Sequence, residues 1–313
     1  MAGRSVMLRF IARRLGLGLA TVFVTTIAVT LLIHVVPGDP VRIMYAQSQG
    51  TTDAEISAIR HRLGLDRPLI VQYGMFLNRL AHGDLGRTVR GNQPVLPLLL
   101  ARLPNTLLLA CAAMLIAIVL GVGMGFFAAW HEGSVLDAGL MTAAIGGVAV
   151  PQFWLGLILM LVFGVQLGWL PVAGTGLANL VLPAFTLGVA NAAIVARMCR
   201  AAMVEAMRQE FVRTARAKGL PKMLIMTRHV LRPGLVPVAT MMGMQFAYMM
   251  GGAIVVENIF SWNGIGRLAI GAIFERDYPT IQGFILVFAT TVVLVSFAID
   301  LMQLVLDPRL RRR

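Results

Sequence analysis

Charge is what this chain has least of. Asp, Glu, Lys and Arg make up 13% of its 313 residues, about half the usual quarter for a soluble domain. Apolar residues make up 58% before glycine is counted, and the mean hydropathy is +0.80. A soluble globule of this size has too little interior to hide so much apolar surface, and a disordered chain has the opposite composition. A polytopic membrane protein remains. Cysteine is scarce too. Cys111 and Cys199 both lie in apolar helical context, which excludes a disulfide framework and a zinc site and reads as inert packing. Lysine occurs only as Lys218 and Lys222, preceded by Ala217 and Pro221. A phosphate-cradling P-loop needs Gly-Lys-Ser/Thr, so this chain has no ATP site of that kind. His-Glu-x-x-His and Gly-x-Ser-x-Gly are also missing. His34, His61, His82, His131 and His229 are scattered, with no i,i+4 pair. Neither a metal site nor a nucleophile–base pair is expected, and the chain does not read as an enzyme.

What is present is a basic excess, +13 overall, set between long uncharged stretches. That placement argues against nucleic-acid binding and for a membrane topology. A spanning helix needs about 20 apolar residues. Leu15–Val36 provides 22 uncharged residues after Arg4, Arg9, Arg13 and Arg14. It is longer than a signal-peptide core and is read as a retained first helix. Leu103–Trp130 is a second uncharged run. Ala138–Ala196 has no Asp, Glu, Lys or Arg over 59 residues, enough for two helices with a turn at Gly168-Trp169-Leu170-Pro171. Pro233–Val256 and Tyr278–Ile299 complete six.

Basic residues in short loops set the orientation. With a cytoplasmic N-terminus, 17 of the 27 Lys and Arg residues lie inside: four before the first span, nine in Arg197–Arg232 and four from Arg309 onward. Both termini are then cytoplasmic. The expected layout is an N-terminal tail 1–14, a first span 15–36 and an external segment 37–102. A core over 103–306 follows, with spans 103–130, 138–166, 180–204, 233–256 and 280–306 and a cytoplasmic loop 205–232, and the chain closes in a tail 307–313. In the external segment, Thr52-Asp53-Ala54-Glu55 has the form of a capping box before Ile56, Ile59 and Leu63. Pro68 opens a second run with Leu69, Ile70, Tyr73, Phe76, Leu77 and Leu80 at helical spacing. Two short amphipathic helices are expected, either covering the bundle or offering a docking face to an external partner.

The spans carry few ionisable groups, against the habit of ion-coupled carriers. Arg197 and Arg200 read as snorkelling residues at the inner end of the fourth span, and Glu257 as a terminal anchor at the outer end of the fifth. The loop Glu205–Arg232 stands out. Phe211, Val212 and Ala215 form a small apolar face among Arg208, Arg213, Arg216 and Lys218; Gly219 breaks the helix and Pro221 starts another. Such a helix either presents a hydrophobic knob to a soluble partner or rests on anionic lipid.

The stretch Arg213-Thr214-Ala215-Arg216-Ala217-Lys218-Gly219 resembles the cytoplasmic Glu-Ala-Ala…Gly motif of ABC-importer permeases, in the dipeptide/oligopeptide/nickel branch. The resemblance covers nearly the whole chain. It includes Pro37-Gly38-Asp39-Pro40, Leu63-Gly64-Leu65-Asp66-Arg67-Pro68, Gly83-Asp84-Leu85-Gly86, Leu167-Gly168-Trp169-Leu170-Pro171, Gly251–Glu257, Gly264-Ile265-Gly266-Arg267, Arg276-Asp277-Tyr278-Pro279 and Asp307-Pro308-Arg309. Arg213 and Thr214 stand where the general motif has Glu-Ala, a replacement that branch tolerates.

The resemblance implies an all-α permease of the type I ABC-importer fold in a bacterial inner membrane. It would form half of a pathway for short peptides, with nickel (as a chelate) or glutathione as alternatives; a self-sufficient channel or secondary carrier is the reading of another class. Implied partners are a second, similar permease chain in a heterodimer, two cytoplasmic ATPase subunits that hold the ATP and magnesium, an extracytoplasmic substrate-binding protein and the lipid bilayer. The coupling residues would be Glu210, Phe211, Arg213, Thr214, Ala215, Lys218 and Gly219. Gly146, Gly147 and Pro151 are candidate pivots, and Glu257 with Arg267 a candidate outer gate. Gly121, Gly123 and Gly125 permit close helix approach, as do Gly243, Ala247 and Gly251. Met241, Met242, Met244, Met249 and Met250 read as adaptable packing or a forgiving substrate path rather than soft-metal ligands.

Overall fold

In lipid every backbone polar group must find its partner within the chain, so long apolar runs become helices. The computed structural model describes residues 2–35, 57, 61, 66–174 and 176–306, and among these the regular structure is helical. In chain order the elements are α1 (Ala2–Val35), α2 (Leu69–Ala81), α3 (Val95–Trp130), α4 (Val135–Ala149), α5 (Gln152–Leu159 extended by a π turn Met160–Gln166), α6 (Leu177–Met207), α7 (Glu210–Ala217), α8 (Leu231–Ile259), α9 (Ile265–Glu275) and α10 (Tyr278–Leu306).

 A single turn Lys222–Leu224 and a π segment Ile225–Val230 lead into α8. By length and composition five helices suffice to cross a membrane, or six if the bent pair α4–α5 is one span.

The chain forms two compact units, Met1–Pro104 with Gly264–Phe297, and Asn105–Asn263 with Ala298–Arg313. In the first, α2 is amphipathic because Tyr73, Phe76, Leu77 and Leu80 recur at helical spacing. Phe76 packs with Val29 of α1 and Leu286 of α10. Thr26 and Tyr73 share a hydrogen bond of 2.9 Å, and the Gln282 side chain donates to the Val29 carbonyl at 2.8 Å. One face of α2 therefore covers the bundle, while Leu69, Ile70 and Val71 stay exposed. The other expected external helix, around Ile56, Ile59 and Leu63, lies outside the described residues, as do Pro37–Pro40 and Asp307–Arg313. Farther on, Val95, Leu99 and Ile265 form a second small core. Gly283 makes it possible: a Cβ there would lie 2.6 Å from the Val95 side chain.

In the second unit α6 is the central helix, with 61% of its apolar window buried against 33% for α3. Its seam with α3 is made of small residues. A Cβ on Gly121 would stand 2.6 Å from Val195 Cβ, one on Gly125 2.6 Å from the Ala196 carbonyl, and one on Gly188 2.7 Å from the Ala113 carbonyl. Gly123 faces open space. Among the described residues of this unit are two larger apolar clusters. One centres on Leu109, Leu187, Met249 and Val256, and the other on Cys199, Met203, Val212, Met226 and Val230.

Two elements differ from the sequence expectation. The run expected as one helix over 138–166 is bent by 99° between α4 and α5. Pro151 has no N–H to continue the ladder and its ring excludes the helical conformation for the residue before it; Val150 accordingly has ψ 122°. The segment 205–232 also does not end where the fifth span begins. Helical backbone runs through Lys222–Ile259, past Arg228 in the π segment and Arg232 in the first turn of α8, so Pro233 lies inside the run rather than at its start.

Candidate functional site

The helix α7 is short, and its ends explain why it holds. Gln209 precedes it in an extended conformation. At the other end the Gly219 N–H donates to the Arg216 carbonyl at 2.9 Å and the Leu220 N–H to the Ala215 carbonyl at 3.3 Å. That is the Schellman pattern, and it needs a left-handed residue; Gly219 supplies it with φ +75°. Within the helix the Arg213 guanidinium donates to Glu210 at 2.8 Å, and the Thr214 hydroxyl donates to the Glu210 carbonyl at 3.1 Å.

The apolar face of α7 points the other way from the simplest expectation. Val212 is fully buried and Ala215 nearly so, both packed into the cluster with Cys199, Met203, Ile225 and Met226. Of the three apolar residues only Phe211 is exposed. Glu210, Arg213, Thr214, Lys218 and Gly219 share that exposed side of the chain. A shallow pocket of about 240 Å³ beside α7 is lined by Met207, Arg216, Leu220, Lys222, Ile225 and Met226.

The turn from α3 to α4 meets the chain on both sides of α7. Arg200 grips Asp137 with two prongs, Nε to Oδ1 at 2.5 Å and Nη2 to Oδ2 at 2.6 Å. The Asp137 side chain is only 5% exposed. The Gly133 N–H donates to Asp137 Oδ2 at 3.0 Å, and the Asp137 N–H donates to the Ser134 hydroxyl at 3.3 Å. Arg208 donates to Glu132 at 3.0 Å. Lys222 donates to the Trp130 carbonyl at 2.8 Å and sits 5.5 Å from the Trp130 ring centroid. Arg200 is thus no snorkelling residue: a carboxylate 63 positions upstream holds it. The sequence reading missed Asp137, although Ser134-x-x-Asp137 has the form of a helix start.

Other residues fall as follows. Pro151 is at the α4–α5 bend; Gly146 faces open space, and a Cβ on Gly147 would make ordinary contact with Ala193. Glu257 is not an interface anchor. It is fully buried, and the Thr106 hydroxyl donates to its Oε1 at 2.5 Å. Burial of a carboxylate needs such donors. Nearby the Trp262 indole N–H donates to the Asn105 carbonyl at 3.0 Å. Arg267 belongs to the first unit, on α9. The methionines point around α8 rather than at one spot: Met249 and Met250 are fully buried, whereas Met244 is 77% exposed. An amide pair with one buried member, Asn191, also escaped the sequence reading. Gln245 of α8 donates to Asn191 of α6, and Asn191 donates on to the Leu187 carbonyl at 2.7 Å.

Sequence comparison gives this arrangement its place. Residues 117–312 match the family described as binding-protein-dependent transport system inner membrane component, and residues 7–110 match the N-terminal segment of such membrane components. The chain belongs to this family of ABC-importer permeases. A similar relative is the di/tripeptide transport system permease protein DppB of Pseudomonas aeruginosa, 41% identical with 98% of this chain and all of that protein covered. The glutathione transport system permease protein GsiC of Pectobacterium atrosepticum is 40% identical over 96% of this chain and 98% of its own length. GsiC of Escherichia coli K12 is 38% identical over 97% of this chain and 99% of its own. Among solved structures, an inward-facing form of the MetNI methionine ABC transporter matches with a TM-score of 0.58 at 19% identity, covering 67% of this chain and 96% of that one. That likeness is one of fold. In this permease α7, over the residues that resemble the family's cytoplasmic motif, has a buried root and a charged outer side.

Proposed function

We propose that this permease passes short peptides across the inner membrane, driven by ATP hydrolysed on separate subunits. The near full-length identity to DppB carries the reading. The glutathione relatives favour a second one, and the two share chemistry, since glutathione is itself a tripeptide with one side-chain amide link. The chain acts as a transport subunit and not as an enzyme. ATP and magnesium reside on two ATPase subunits that grip α7 from the cytoplasm. An extracytoplasmic binding protein delivers the substrate, and a second permease chain completes the pathway. Both termini face the cytoplasm, in keeping with the basic residues in the first turns of α1 and in and around α7. Gly146, Gly147 and Pro151 serve as pivots, and Glu257 and Arg267 belong to the outer gate.

Movement at α7 suits this role because the helix is a compact rigid body. Its core residues Val212 and Ala215 tie it to α6 and the π segment, so force applied to Phe211 and its charged neighbours acts on the spans and does not merely bend a loop. Transport then alternates between two arrangements of similar energy, biased by the state of the ATPases.

Reconstitution tests this. The permease, assembled with ATPase subunits, a partner permease and a binding protein, is placed in liposomes with labelled dipeptide, glutathione or nickel. ATP-dependent dipeptide uptake, competed by a tripeptide, is the expected result. Uptake of glutathione or nickel alone would transfer the substrate to that class. Uptake by the permease without any ATPase subunit would overturn the proposal as a whole.

A further inference from the structure

A carboxylate loses several kcal/mol of hydration when it is buried, and the loss is offset only when its lone pairs are filled. At Asp137 they are filled by the two prongs of Arg200 and by the Gly133 N–H. The chain has spent few charges on its spans, yet it keeps this pair where α4 leaves the turn after α3. A buried pair is poor evidence for stability and better evidence for fixed register. Around it, Glu132 and Trp130 accept hydrogen bonds from Arg208 and Lys222. The turn 130–137 is thereby fastened to Arg200 and Arg208 before α7 and to Lys222 after it.

We infer that Asp137 and Arg200 form a positioning contact that makes α4 move together with α6 and α7, so that work done at α7 reaches the bent α4–α5 segment. Direct packing leaves α4 resting on α6 through Ala144, Ala193 and Ala196 with Met141 beside them, small or flexible side chains over which one helix can slide. The two-pronged ion pair fixes both distance and rotation, because a guanidinium meets a carboxylate in one plane. Asp137 on α4 and Arg200 on α6 are the only members of this set that are joined by two hydrogen bonds. This rests on the transport reading above.

The test uses the assembled transporter in liposomes and reads dipeptides imported per ATP hydrolysed, alongside assembly and thermal midpoint. R200M strands the buried Asp137 carboxylate, D137N leaves the half-buried Arg200 without its counter-charge, and each lowers the midpoint, R200M the more. D137L/R200M removes both charges, and apolar replacement of a buried pair commonly restores stability. In that double variant the midpoint recovers and ATP hydrolysis continues, while imports per ATP fall by about fivefold or more. An import ratio equal to the native one in D137L/R200M overturns the inference and returns the pair to a purely structural role. If the double variant does not assemble, R200K decides: it keeps the charge and loses the second prong, so the ratio falls in an assembled complex, and a native ratio there overturns the inference equally. Failure of the transport reading looks different, since the native complex itself would then show no ATP-dependent import.

Discussion

The seam between α3 and α6 sets a quantitative test. Carbon atoms in contact sit about 3.5–4.0 Å apart. A Cβ on Gly125 would stand 2.6 Å from both the Ala196 carbonyl and Cys199 Cβ. Gly125→Ala therefore requires α3 and α6 to part by roughly 1 Å, since the obstructing atoms are backbone and Cβ and cannot rotate aside. Such overpacking costs about 1–3 kcal/mol. Gly121→Ala meets Val195 Cβ and the Ala192 carbonyl at 2.6 and 2.7 Å, and the same outward shift relieves both sites. The double variant should thus cost less than the sum of the singles, because the two positions share one displacement. Gly123→Ala is the control on the same helix, with nothing within 4 Å. Alanine is the better helix former by about 0.5–1 kcal/mol, so that variant stays at or above native stability. The assay is the thermal midpoint of the detergent-purified chain, followed by size-exclusion chromatography of a fluorescent fusion. G125A and G121A fall below native, G123A does not. Equal midpoints for G125A and G123A would refute the close-approach reasoning.

Substitutions at two further positions probe helix ends. Gly219→Ala keeps open space around the new methyl but forces a side chain into the left-handed region, at about 1–2 kcal/mol; Gly219→Asn should cost less, and limited proteolysis at 218–221 reads the difference. Asp277 caps α10, accepting from the Thr280 N–H at 3.2 Å and the Thr280 hydroxyl at 2.8 Å, and it also accepts from the Val89 N–H at 3.2 Å. Asp277→Ala should lower stability by about 0.5–2 kcal/mol, and an unchanged thermal midpoint would contradict the capping role.

How much was legible in the sequence depends on whether a feature is local. Spans were legible because apolar length is counted along one strand of sequence. The small-residue seam was legible at Gly121 and Gly125 because their four-residue spacing puts them on one face. Gly219 was legible as a helix end for the same local reason. Pro151 was legible as a place that can bend but not as a break: with no charge between 138 and 196, hydropathy gives no mark where one element stops, so 138–166 read as one helix. The continuation of helix from Lys222 into α8 was hidden in the opposite way, since basic residues on a helix resemble a loop to a hydropathy window. Asp137 with Arg200 required knowledge of a partner 63 positions away. The amide pair Asn191 and Gln245 was hidden likewise.

The most instructive case is α7. An eight-residue amphipathic helix has one apolar face, and sequence alone leaves open whether that face looks outward to a partner or inward to its own protein. Val212 and Ala215 settle it, because both are swallowed by the core that includes Met203 and Met226. What remains outside is one phenyl ring, Phe211, among Glu210, Arg213, Thr214 and Lys218. A protein that grips this helix gains at most about 1.5–3 kcal/mol from burying that ring, so its hold must come mainly from matching the charges. Under the proposed function, Arg213-Thr214 in place of Glu-Ala bears on which partner fits more than on whether the helix forms, since both residues stand on the solvated side.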